Sequence, residues 1–365
     1  MLFFFAIFFI VAIFSHLEIN VGIEDNTKKK IFLILCFFFY LLSFLRWEYG
    51  PDWDAYYRMY ELYTWDFYEE HEIGFSYIIV AAKSLIDSYT FVLFVFSSVL
   101  FYCQTKGILE MCNFPLVALL VLTGTYFCNV GYVRQYVAVA ITFYAIYYIE
   151  QRRFFHFLLF VLLATSIHYS SLVFLPAWWI YHANISRKKM MIFLLLSLFA
   201  SSLMSYFLQN IGGLLGQGIL MRTEGYVEEG YDYSDNATLS PQQAIIKAII
   251  NRGGILLIGF YLYDKACEEI SNVRNLFNLY CFGSVLFFLS SPIALTLSRM
   301  SWFYDFAQIL IIPSIFVQVK NRIVSLLIFS VLTLFLAAKL YLNINSYEGM
   351  TDSYKFIPII ENIIN

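Results

Sequence analysis

The sequence predicts an all-α polytopic membrane protein with about 12 transmembrane helices, within a range of about 11–13. Its residues are 61% hydrophobic, 20% aromatic and only 13% charged, which is more apolar surface than a soluble domain of this length can bury. Apolar runs of about 20 residues recur along the chain. Because these runs lack the alternating pattern of a β-barrel, their backbone groups must be satisfied within helices.

The apolar runs set the span boundaries and predict a single integral membrane domain over residues 1–365. The predicted spans lie near 1–17, 31–45, 88–105, 114–130, 132–149, 154–167, 170–183, 190–208, 244–263, 276–292, 300–318 and 323–342. The first run has neither a basic leader nor a small-residue cleavage site, so we expect a retained span rather than a signal peptide. Segment 74–86 is apolar but short and contains Lys83, so a crossing, a re-entrant segment and an interfacial segment all stay open.

The lysines and arginines of the short loops predict the orientation. If segment 74–86 does not cross, the basic clusters share one side, which is then cytoplasmic. These clusters are Lys28–Lys30, Lys106, Arg152–Arg153, Arg187–Lys189, Lys265 with Arg274, and Lys320 with Arg322. The opposite side receives two long loops, 46–72 and 209–243, that are both acidic and rich in tyrosine.

The stretch 46–72 follows directly after an apolar run and is rich in acidic and aromatic residues. It contains eight carboxylates, six tyrosines and three tryptophans. Gly50 and Pro51 break the preceding helix, after which tyrosines recur at helical spacing and predict a short interfacial helix; they are Tyr56, Tyr57, Tyr60 and Tyr63. Aromatic rings that stack on a sugar and carboxylates that accept its hydroxyls favour carbohydrate binding. The alternative is an interfacial aromatic belt with a solvated acidic face.

Several charged residues fall on the non-cytoplasmic side, against the positive-inside rule. The arginines are Arg46, Arg134, Arg222, Arg252 and Arg299. His168, Glu72 and Asp305 lie on the same predicted side. An ionised group within a span costs about 2.5–3.5 kcal/mol on insertion scales, so it usually faces a cavity or a partner. Since guanidinium groups bind phosphate bidentately, the set predicts a site for an anionic and a polyhydroxylated ligand; structural ion pairs and snorkelling side chains are the alternative.

Other site classes lack their sequence signals. The six cysteines are scattered without metal or disulfide spacing, and there is no phosphate-binding glycine loop with lysine, HExxH or GxSxG motif. We predict no cofactor, no bound metal and no nucleic-acid partner. A Mg²⁺ site built from the carboxylates stays open, but an arginine-rich site makes it unnecessary.

The order of these residues resembles a known family. Arg46, Gly50, Asp52 and Tyr56 form an R-x-x-x-G-x-D-x-x-x-Y stretch; the later elements are Glu72 with Gly74 and Phe75, Arg134-Gln135 with Ala138, His168 with Ser170, and Arg299 before Phe303-Tyr304. This order resembles the EpsG-like branch of the O-antigen polymerases, the Wzy-type enzymes of bacterial polysaccharide assembly, over most of the chain. Pro51 and Phe75 depart from the usual pattern, which leaves the sugar specificity open.

The resemblance implies a metal-independent glycosyltransferase of the bacterial inner membrane. Its fold would resemble the GT-C glycosyltransferases, with the active site and the loops 46–72 and 209–243 at the periplasmic face. The substrates would be two undecaprenyl-diphosphate-linked oligosaccharides in the surrounding lipid. The growing chain moves from its lipid onto the non-reducing sugar of a new repeat unit during lipopolysaccharide biosynthesis, with a chain-length regulator as a further partner.

Residue roles follow as expectations. We expect Asp52, Glu72 and His168 to be catalytic, with Asp52 or Glu72 favoured as general base and His168 as a diphosphate contact. Arg134 and Arg299 are expected on the diphosphate because fixed cations stabilise the leaving group's charge. The remaining substrate contacts are Gln135 and Tyr56, together with Arg46, Arg222 and Arg252 for a second lipid or loop closure. The loop 209–243 would act as a lid that grips the glycan.

Other functions compete with polymerisation. An O-antigen ligase or a serotype-specific glucosyltransferase would use a related lipid-linked donor. A lipid-linked glycan flippase or transporter is the alternative from another class, and a structural membrane subunit is the simplest one. A transporter should carry its polar residues near the midplane of broken helices, whereas the charges here concentrate at one interface.

Overall fold

The computed structural model describes residues 2–50, 52–66, 72–126, 133–211, 241–263, 272–290, 295–345 and 355–356. The α-helices are α1 Leu2–His16, α2 Asp25–Phe44, α3 Trp53–Leu62, α4 Ile73–Leu85, α5 Tyr89–Met111, α6 Pro115–Tyr126, α7 Val133–Glu150, α8 Phe154–Ile167, α9 Ala177–His182, α10 Arg187–Ile211, α11 Pro241–Tyr263, α12 Val273–Ser290, α13 Leu295–Ser298, α14 Trp302–Asp305, α15 Gln308–Ile311, α16 Ile315–Gln318 and α17 Arg322–Asn345. A π-helix Leu17–Gly22, the 3-10 helices Tyr169–Phe174 and Arg299–Ser301, and the strands β1 Arg46–Trp47 and β2 Lys355–Phe356 complete the described elements.

The chain groups into two compact units. Unit 1 comprises Met1–Leu175 and Phe316–Asn365, and unit 2 comprises Pro176–Ile315. In unit 1, α7 packs between α5 and α8, while α1 and α17 pack against α6. In unit 2, α12 is the central helix and contacts α9, α10, α11 and the short helices that follow residue 299. Almost every side chain of α6 and α7 is buried, so these two helices form the core of unit 1.

The described residues confirm a helical membrane protein. Five segments are long and apolar enough to cross a membrane by length and composition, namely Leu2–Gly22, Tyr89–Met111, Val273–Ser290, Arg299–Gln318 and Arg322–Asn345. Four shorter apolar helices cover Ile73–Leu85, Pro115–Tyr126, Phe154–Ile167 and Ile249–Tyr263. The prediction of about 12 spans and the GT-C resemblance stay predictions.

Two of the predicted spans are interrupted helices. The run 170–183 forms a 3-10 helix, Tyr169–Phe174, followed by the six-residue α9. The run 300–318 is divided into short helical pieces. Pro176 and Pro313 lie at these interruptions, where a missing backbone N–H prevents a continuous helix. Length and hydropathy alone therefore overestimate how regular these segments are.

The predicted short helix after the first break is α3. The backbone turns sharply before it, with a positive φ of 107° at Gly50. Trp53, Tyr56 and Tyr60 are buried along one face of α3, as their helical spacing predicts. Just before this turn, β1 pairs antiparallel with β2, so that Arg46 lies opposite Phe356 and Trp47 opposite Lys355.

Helix α4 is short and closely packed. Its 13 residues are about 20 Å long at ~1.5 Å per residue, which is less than the ~30 Å hydrocarbon core. A Cβ atom at Gly74 would lie 2.8 Å from both the Cβ and the carbonyl oxygen of Ser166. Only glycine therefore lets the start of α4 approach the end of α8, next to His168.

Candidate active site

Five of the sequence-predicted site residues form one chain of contacts in unit 1. The hydroxyl of Tyr56 donates to Asp52 Oδ2 at 3.5 Å, and Arg134 Nε donates to the Tyr56 hydroxyl at 3.4 Å. Arg134 Nη1 donates to Glu72 Oε2 at 2.9 Å. His168 Nδ1 lies 2.7 Å from Glu72 Oε1. Segments that are remote in sequence, at α3, α4, α7 and the end of α8, thus supply one polar cluster, which we call the Glu72 cluster.

Glu72 is the central residue of this cluster. Only 5% of it is exposed, and its Oε1 also accepts the backbone N–H of Tyr169 at 3.2 Å. Burial raises the pKa of Glu72. The hydrogen bond from His168, the charge of Arg134 and the Tyr169 N–H outweigh burial, so the pKa lies below its usual range. Glu72 is therefore an ionised acceptor whose two oxygens are both occupied.

Arg134 is held by two aromatic rings as well as by the carboxylate. Its guanidinium carbon lies 5.4 Å from the ring centroid of Tyr56 and 5.3 Å from that of Phe75. The side chain of Arg134 is 26% exposed, whereas that of Glu72 is 6% exposed. The guanidinium is consequently fixed in orientation while part of it stays accessible to an anionic ligand.

His168 lies at the junction between α8 and the following 3-10 helix. Its backbone is extended, and its carbonyl oxygen accepts a hydrogen bond from the Ser171 hydroxyl at 2.7 Å. Because ionised Glu72 accepts at Nδ1, the neutral imidazole carries its proton there and presents a lone pair at Nε2. The His168 side chain is 26% exposed. This arrangement can take up a proton at Nε2 while the carboxylate stabilises the resulting charge.

Asp52 and Tyr56 lie at the other end of the chain of contacts. Burial, followed by the negative charge of Asp52, raises the pKa of Tyr56 to about 12, although Arg134 acts in the opposite direction. Tyr56 is therefore a neutral phenol that can donate a hydrogen bond. Asp52 is partly exposed and precedes α3, and its contact with Tyr56 is at the limit of hydrogen-bond length. Asp52 is thus more accessible than Glu72.

Arg46 lies beside a pocket in unit 1. It is 2% exposed, and its Nη1 donates to the carbonyl oxygen of Ser43. The pocket is small, with room for about one water molecule, and is lined by Arg46, by serines of α2 and α5, and by apolar side chains of α5 and α7 that include Leu93 and Val137.

The predicted residues in unit 2 form a different arrangement. Arg252 donates from Nη1 to Asp305 Oδ1 at 2.6 Å and from Nη2 to the Ser301 hydroxyl at 2.8 Å, and a second Nη2 bond reaches Asp305 Oδ2. Ser284 accepts a further bond at 3.3 Å, and the ring of Phe287 lies 4.1 Å from the guanidinium carbon. The side chains of Arg252 and Asp305 are only 7% and 6% exposed. Arg252 is therefore saturated by its own unit.

The remaining predicted site residues are Arg299, Gln135 and Arg222, and they are not part of the Glu72 cluster as described above. Arg299 is partly buried at the start of a 3-10 helix in unit 2, and Gln135 is 9% exposed in α7. Arg222 and residues 212–240 of the predicted lid lie outside the described residues. Among the residues that the structure describes, no group of three histidines, cysteines or carboxylates could hold a metal ion. Metal independence stays a prediction.

Sequence reasoning missed several residues around the cluster. The backbone N–H of Tyr169, Lys83 of α4, and Asp87 and Tyr89 at the start of α5 all take part in the local structure. Asp87 and Tyr89 had a weak signal, because a carboxylate and a phenol stand directly before an apolar run. The role of Tyr169 had no signal in the sequence, since its contribution is a backbone N–H, which almost any residue supplies.

Comparison with known proteins identifies the family. No curated protein and no solved structure matches the chain. The model of the EpsG family matches residues 29–359, which is most of the sequence. The match includes both the Glu72 cluster and the Arg252–Asp305 pair. This helical membrane protein therefore belongs to the EpsG family.

Proposed function

We propose that this protein is a polysaccharide polymerase of the O-antigen type in the bacterial inner membrane. It moves a growing glycan from undecaprenyl diphosphate onto the non-reducing sugar of a second undecaprenyl-diphosphate-linked repeat unit, at the periplasmic face. Membership of the EpsG family supports a glycosyltransferase-like polymerase in general. The observation that supports the chemistry is His168, held by Glu72 beside the partly exposed Arg134.

The proposed reaction is one glycosyl transfer. The acceptor hydroxyl gives its proton to Nε2 of His168, and its oxygen forms a bond to the anomeric carbon of the donor glycan. The bond between that carbon and the diphosphate oxygen breaks, and the electron pair leaves with the lipid diphosphate. Arg134 stabilises the negative charge that develops on this leaving group. A positioned base contributes typically about 10²–10⁴-fold to the rate.

This assignment distinguishes the three predicted catalytic residues. A carboxylate whose pKa is lowered by three donors is a poor base, so we assign Glu72 to positioning His168 and balancing its charge. His168 has a partly exposed side chain and a second ring nitrogen, and we assign it the role of base. Asp52 is partly exposed and stays the second candidate for the base.

A lipid-linked substrate would lie beside the small pocket at Arg46 and not inside it. The apolar side chains that line this pocket come from α5, which is a candidate membrane span, and from α7. Val133, which lines the pocket, directly precedes Arg134. We propose that the first isoprene units of a lipid diphosphate lie against these two helices while the diphosphate meets Arg134. Arg222 and Arg299 stay predicted contacts of a second lipid or a closing loop, whereas the bonds of Arg252 to Asp305 and two serines favour a structural role for it.

The test is complementation of a deletion strain of the source bacterium at matched membrane expression. The surface polysaccharide is separated by gel electrophoresis, and the ladder of repeat units is measured. Wild type should restore the ladder, whereas His168→Asn and Arg134→Ala should leave core with a single repeat. His156→Asn is the matched control, because His156 stacks on Tyr148 at 5.3 Å and lies in α8 outside the Glu72 cluster. Asp52→Asn separates the two base candidates, since it should retain a ladder in reduced amount if His168 is the base and abolish the ladder if Asp52 is the base.

Other outcomes favour the competing functions. A deletion strain that keeps its ladder contradicts polymerisation by this protein. A deletion that loses every repeat, including the first one, supports a ligase or a flippase instead. Retention of a full ladder by His168→Asn would exclude the proposed base even if the polymerase function stands.

A further inference from the structure

Five aromatic side chains pack together next to the Glu72 cluster in unit 1. Trp47 is the second residue of β1, and Tyr89 is the first residue of α5. The other three, Trp53, Tyr57 and Tyr60, belong to α3. Their ring centroids lie 5.3 Å apart for Trp47–Trp53, 6.1 Å for Trp47–Tyr57, 5.3 Å for Tyr57–Tyr89 and 4.9 Å for Trp53–Tyr89. Most of these contacts are edge-to-face, the geometry that aromatic pairs prefer.

The five rings differ in accessibility. Trp53, Tyr60 and Tyr89 are 7%, 9% and 5% exposed and form the base of the cluster. Trp47 and Tyr57 are only partly buried and form its outer side. Three rings of the cluster are therefore buried, and the two partly exposed rings, Trp47 and Tyr57, contact each other.

The hydroxyl of Tyr89 is buried and has no hydrogen-bond partner among the described residues. A buried polar group without a partner costs about 1–3 kcal/mol, so its retention requires an explanation. Arg46, Tyr56 and Asp52 all lie within electrostatic reach of this phenol. The partly exposed ring of Tyr57 packs edge-to-face against the ring of Tyr89. We expect a ligand to reach the hydroxyl through a rotation of the Tyr57 side chain.

Helix α3 is firmly attached beneath the accessible rings. Lys83 of α4 donates to the carbonyl oxygens of Tyr60 and Glu61 at 2.8 Å and 3.0 Å, which satisfies the carboxyl end of α3. The hydroxyl of Tyr60 donates to Asp87 Oδ1 at 2.6 Å. These bonds fix the backbone of α3, which carries Tyr57, before any ligand arrives.

The surroundings of the two accessible rings are acidic. Glu48 is exposed and has a positive φ of 48°, a strained conformation for a residue other than glycine. Asp52 and Asp54 follow at the start of α3 and are partly and fully exposed. Carboxylates accept hydrogen bonds from sugar hydroxyls but repel an acidic sugar, so the chemistry favours an uncharged ring.

We infer that Trp47, Tyr57 and Tyr89 form a subsite for an uncharged pyranose, the sugar that accepts the transferred glycan. Trp47 and Tyr57 present their rings to the sugar, the Tyr89 hydroxyl bonds to one of its oxygens, and Asp52 accepts one of its hydroxyls. Tyr56, the neighbour of Tyr57 on α3, contacts Arg134, so the sugar would lie close to the Glu72 cluster. The identification of this sugar as the acceptor rests on the proposed function.

The test is calorimetric titration of the detergent-solubilised full chain with a soluble repeat-unit glycan. The glycan is released by mild acid from the lipid that accumulates in the deletion strain. Trp47→Ala and Tyr57→Ala should each raise the Kd roughly three- to tenfold, the equivalent of one aromatic contact. Trp65→Ala is the matched control, because Trp65 is 56% exposed and packs against Tyr77 instead.

Tyr89→Phe separates a binding role from a structural one. It removes only the unpartnered hydroxyl, so the unfolding temperature should stay unchanged or rise, while the Kd for the glycan rises about fivefold. A purely structural Tyr89 would leave the Kd unchanged. Trp47→Phe keeps an aromatic ring in place and should retain most of the affinity if Trp47→Ala fails to fold.

Two results overturn the inference. One is a glycan that does not bind the wild-type chain, and the other is binding that Trp47→Ala, Tyr57→Ala and Tyr89→Phe all leave unchanged. If complementation shows polymerisation while these variants bind normally, the subsite is wrong and the proposed function stands. If complementation fails while binding depends on Trp47, the glycan site stands and polymerisation is wrong.

Discussion

The two units each contain a buried pairing of arginine with a carboxylate, and the two pairings differ in how completely they are closed. In unit 2, Arg252 directs both terminal nitrogens at Asp305, and two serine hydroxyls occupy the remaining positions. In unit 1, Glu72 divides its oxygens between Arg134 and His168, whose side chains are both 26% exposed. The first arrangement uses up its hydrogen-bonding capacity within the protein, and the second leaves some of it accessible.

This difference shows why an isolated arginine in an apolar run is an ambiguous signal. Arg134 and Arg252 look alike in the sequence, since both interrupt apolar segments on the same predicted side. Their environments assign Arg252 to holding helices together and Arg134 to an accessible cluster. The most useful experiments are therefore those that separate folded-state stability from activity at the two positions.

The largest expected effect is on stability, at Arg252. Arg252→Met leaves Asp305 as an uncompensated buried charge, which should reduce the free energy of unfolding by about 3–5 kcal/mol. Thermal unfolding in detergent measures this loss. Arg252→Met combined with Asp305→Leu should recover most of it, because the pair is replaced by apolar side chains. A stable Arg252→Met protein that makes no polymer would instead place Arg252 in the active site.

The second-largest expected effect is a loss of activity in Glu72→Gln. Glu72→Gln keeps the size of the side chain but removes the charge that orients and balances His168, so the rate of polymer formation should fall by about 10²-fold or more. The rate is measured as incorporation of lipid-linked repeat units into polymer in membrane vesicles. An active Glu72→Gln protein would show that His168 works without this carboxylate.

A smaller loss is expected at Gly74, which touches no substrate in the proposed mechanism. Gly74→Ala places a Cβ against Ser166, so α4 must shift away from α8 and move Glu72 relative to His168. Such misplacement should reduce the rate roughly ten- to hundredfold. Gly253→Ala is the control, because an added Cβ there meets nothing within 4 Å. Partial recovery in Gly74→Ala with Ser166→Gly would support the steric explanation, and no recovery would count against it.

The smallest expected effect is a pH dependence of stability at Glu72. Its pKa is lower in the folded protein than the ordinary value of 4.5, so its stabilisation is complete above about that pH and is lost as the pH falls through the lower folded value. The difference in unfolding temperature between wild type and Glu72→Gln should therefore narrow as the pH falls from 7 to 3.5. A difference that stays constant over this range would mean that Glu72 is not held as an ion pair.

The sequence predicted the helical membrane fold and the short helix α3 because both depend on the local pattern of apolar residues. It did not predict the interrupted helices around Pro176 and Pro313, since long apolar runs masked the breaks. A 20-residue hydropathy window averages over such a break, whereas one missing backbone N–H is enough to cause it.

The sequence was enough to select the residues of the candidate site, but not to predict which of them contact one another. The sequence selected Glu72, Arg134 and His168 because charges in apolar surroundings usually have partners. It could not show that these three contact one another, while Arg252 pairs with Asp305. It also could not assign the proton on His168, which depends on Glu72 lying 2.7 Å from Nδ1. The catalytic roles themselves stay proposals.

The antiparallel pairing of β1 with β2 has a consequence for biosynthesis. Unit 1 is assembled from residues 1–175 and residues 316–365, and the whole of unit 2 lies between these two segments in the chain. A ribosome therefore releases all of unit 2 before it makes α17 and the strand that pairs with Arg46 and Trp47. Arg46 and Trp47 are therefore in the membrane before the strand that pairs with them has been synthesised. Truncations that remove β2 should impair the candidate site, although its residues are encoded in the first half of the gene.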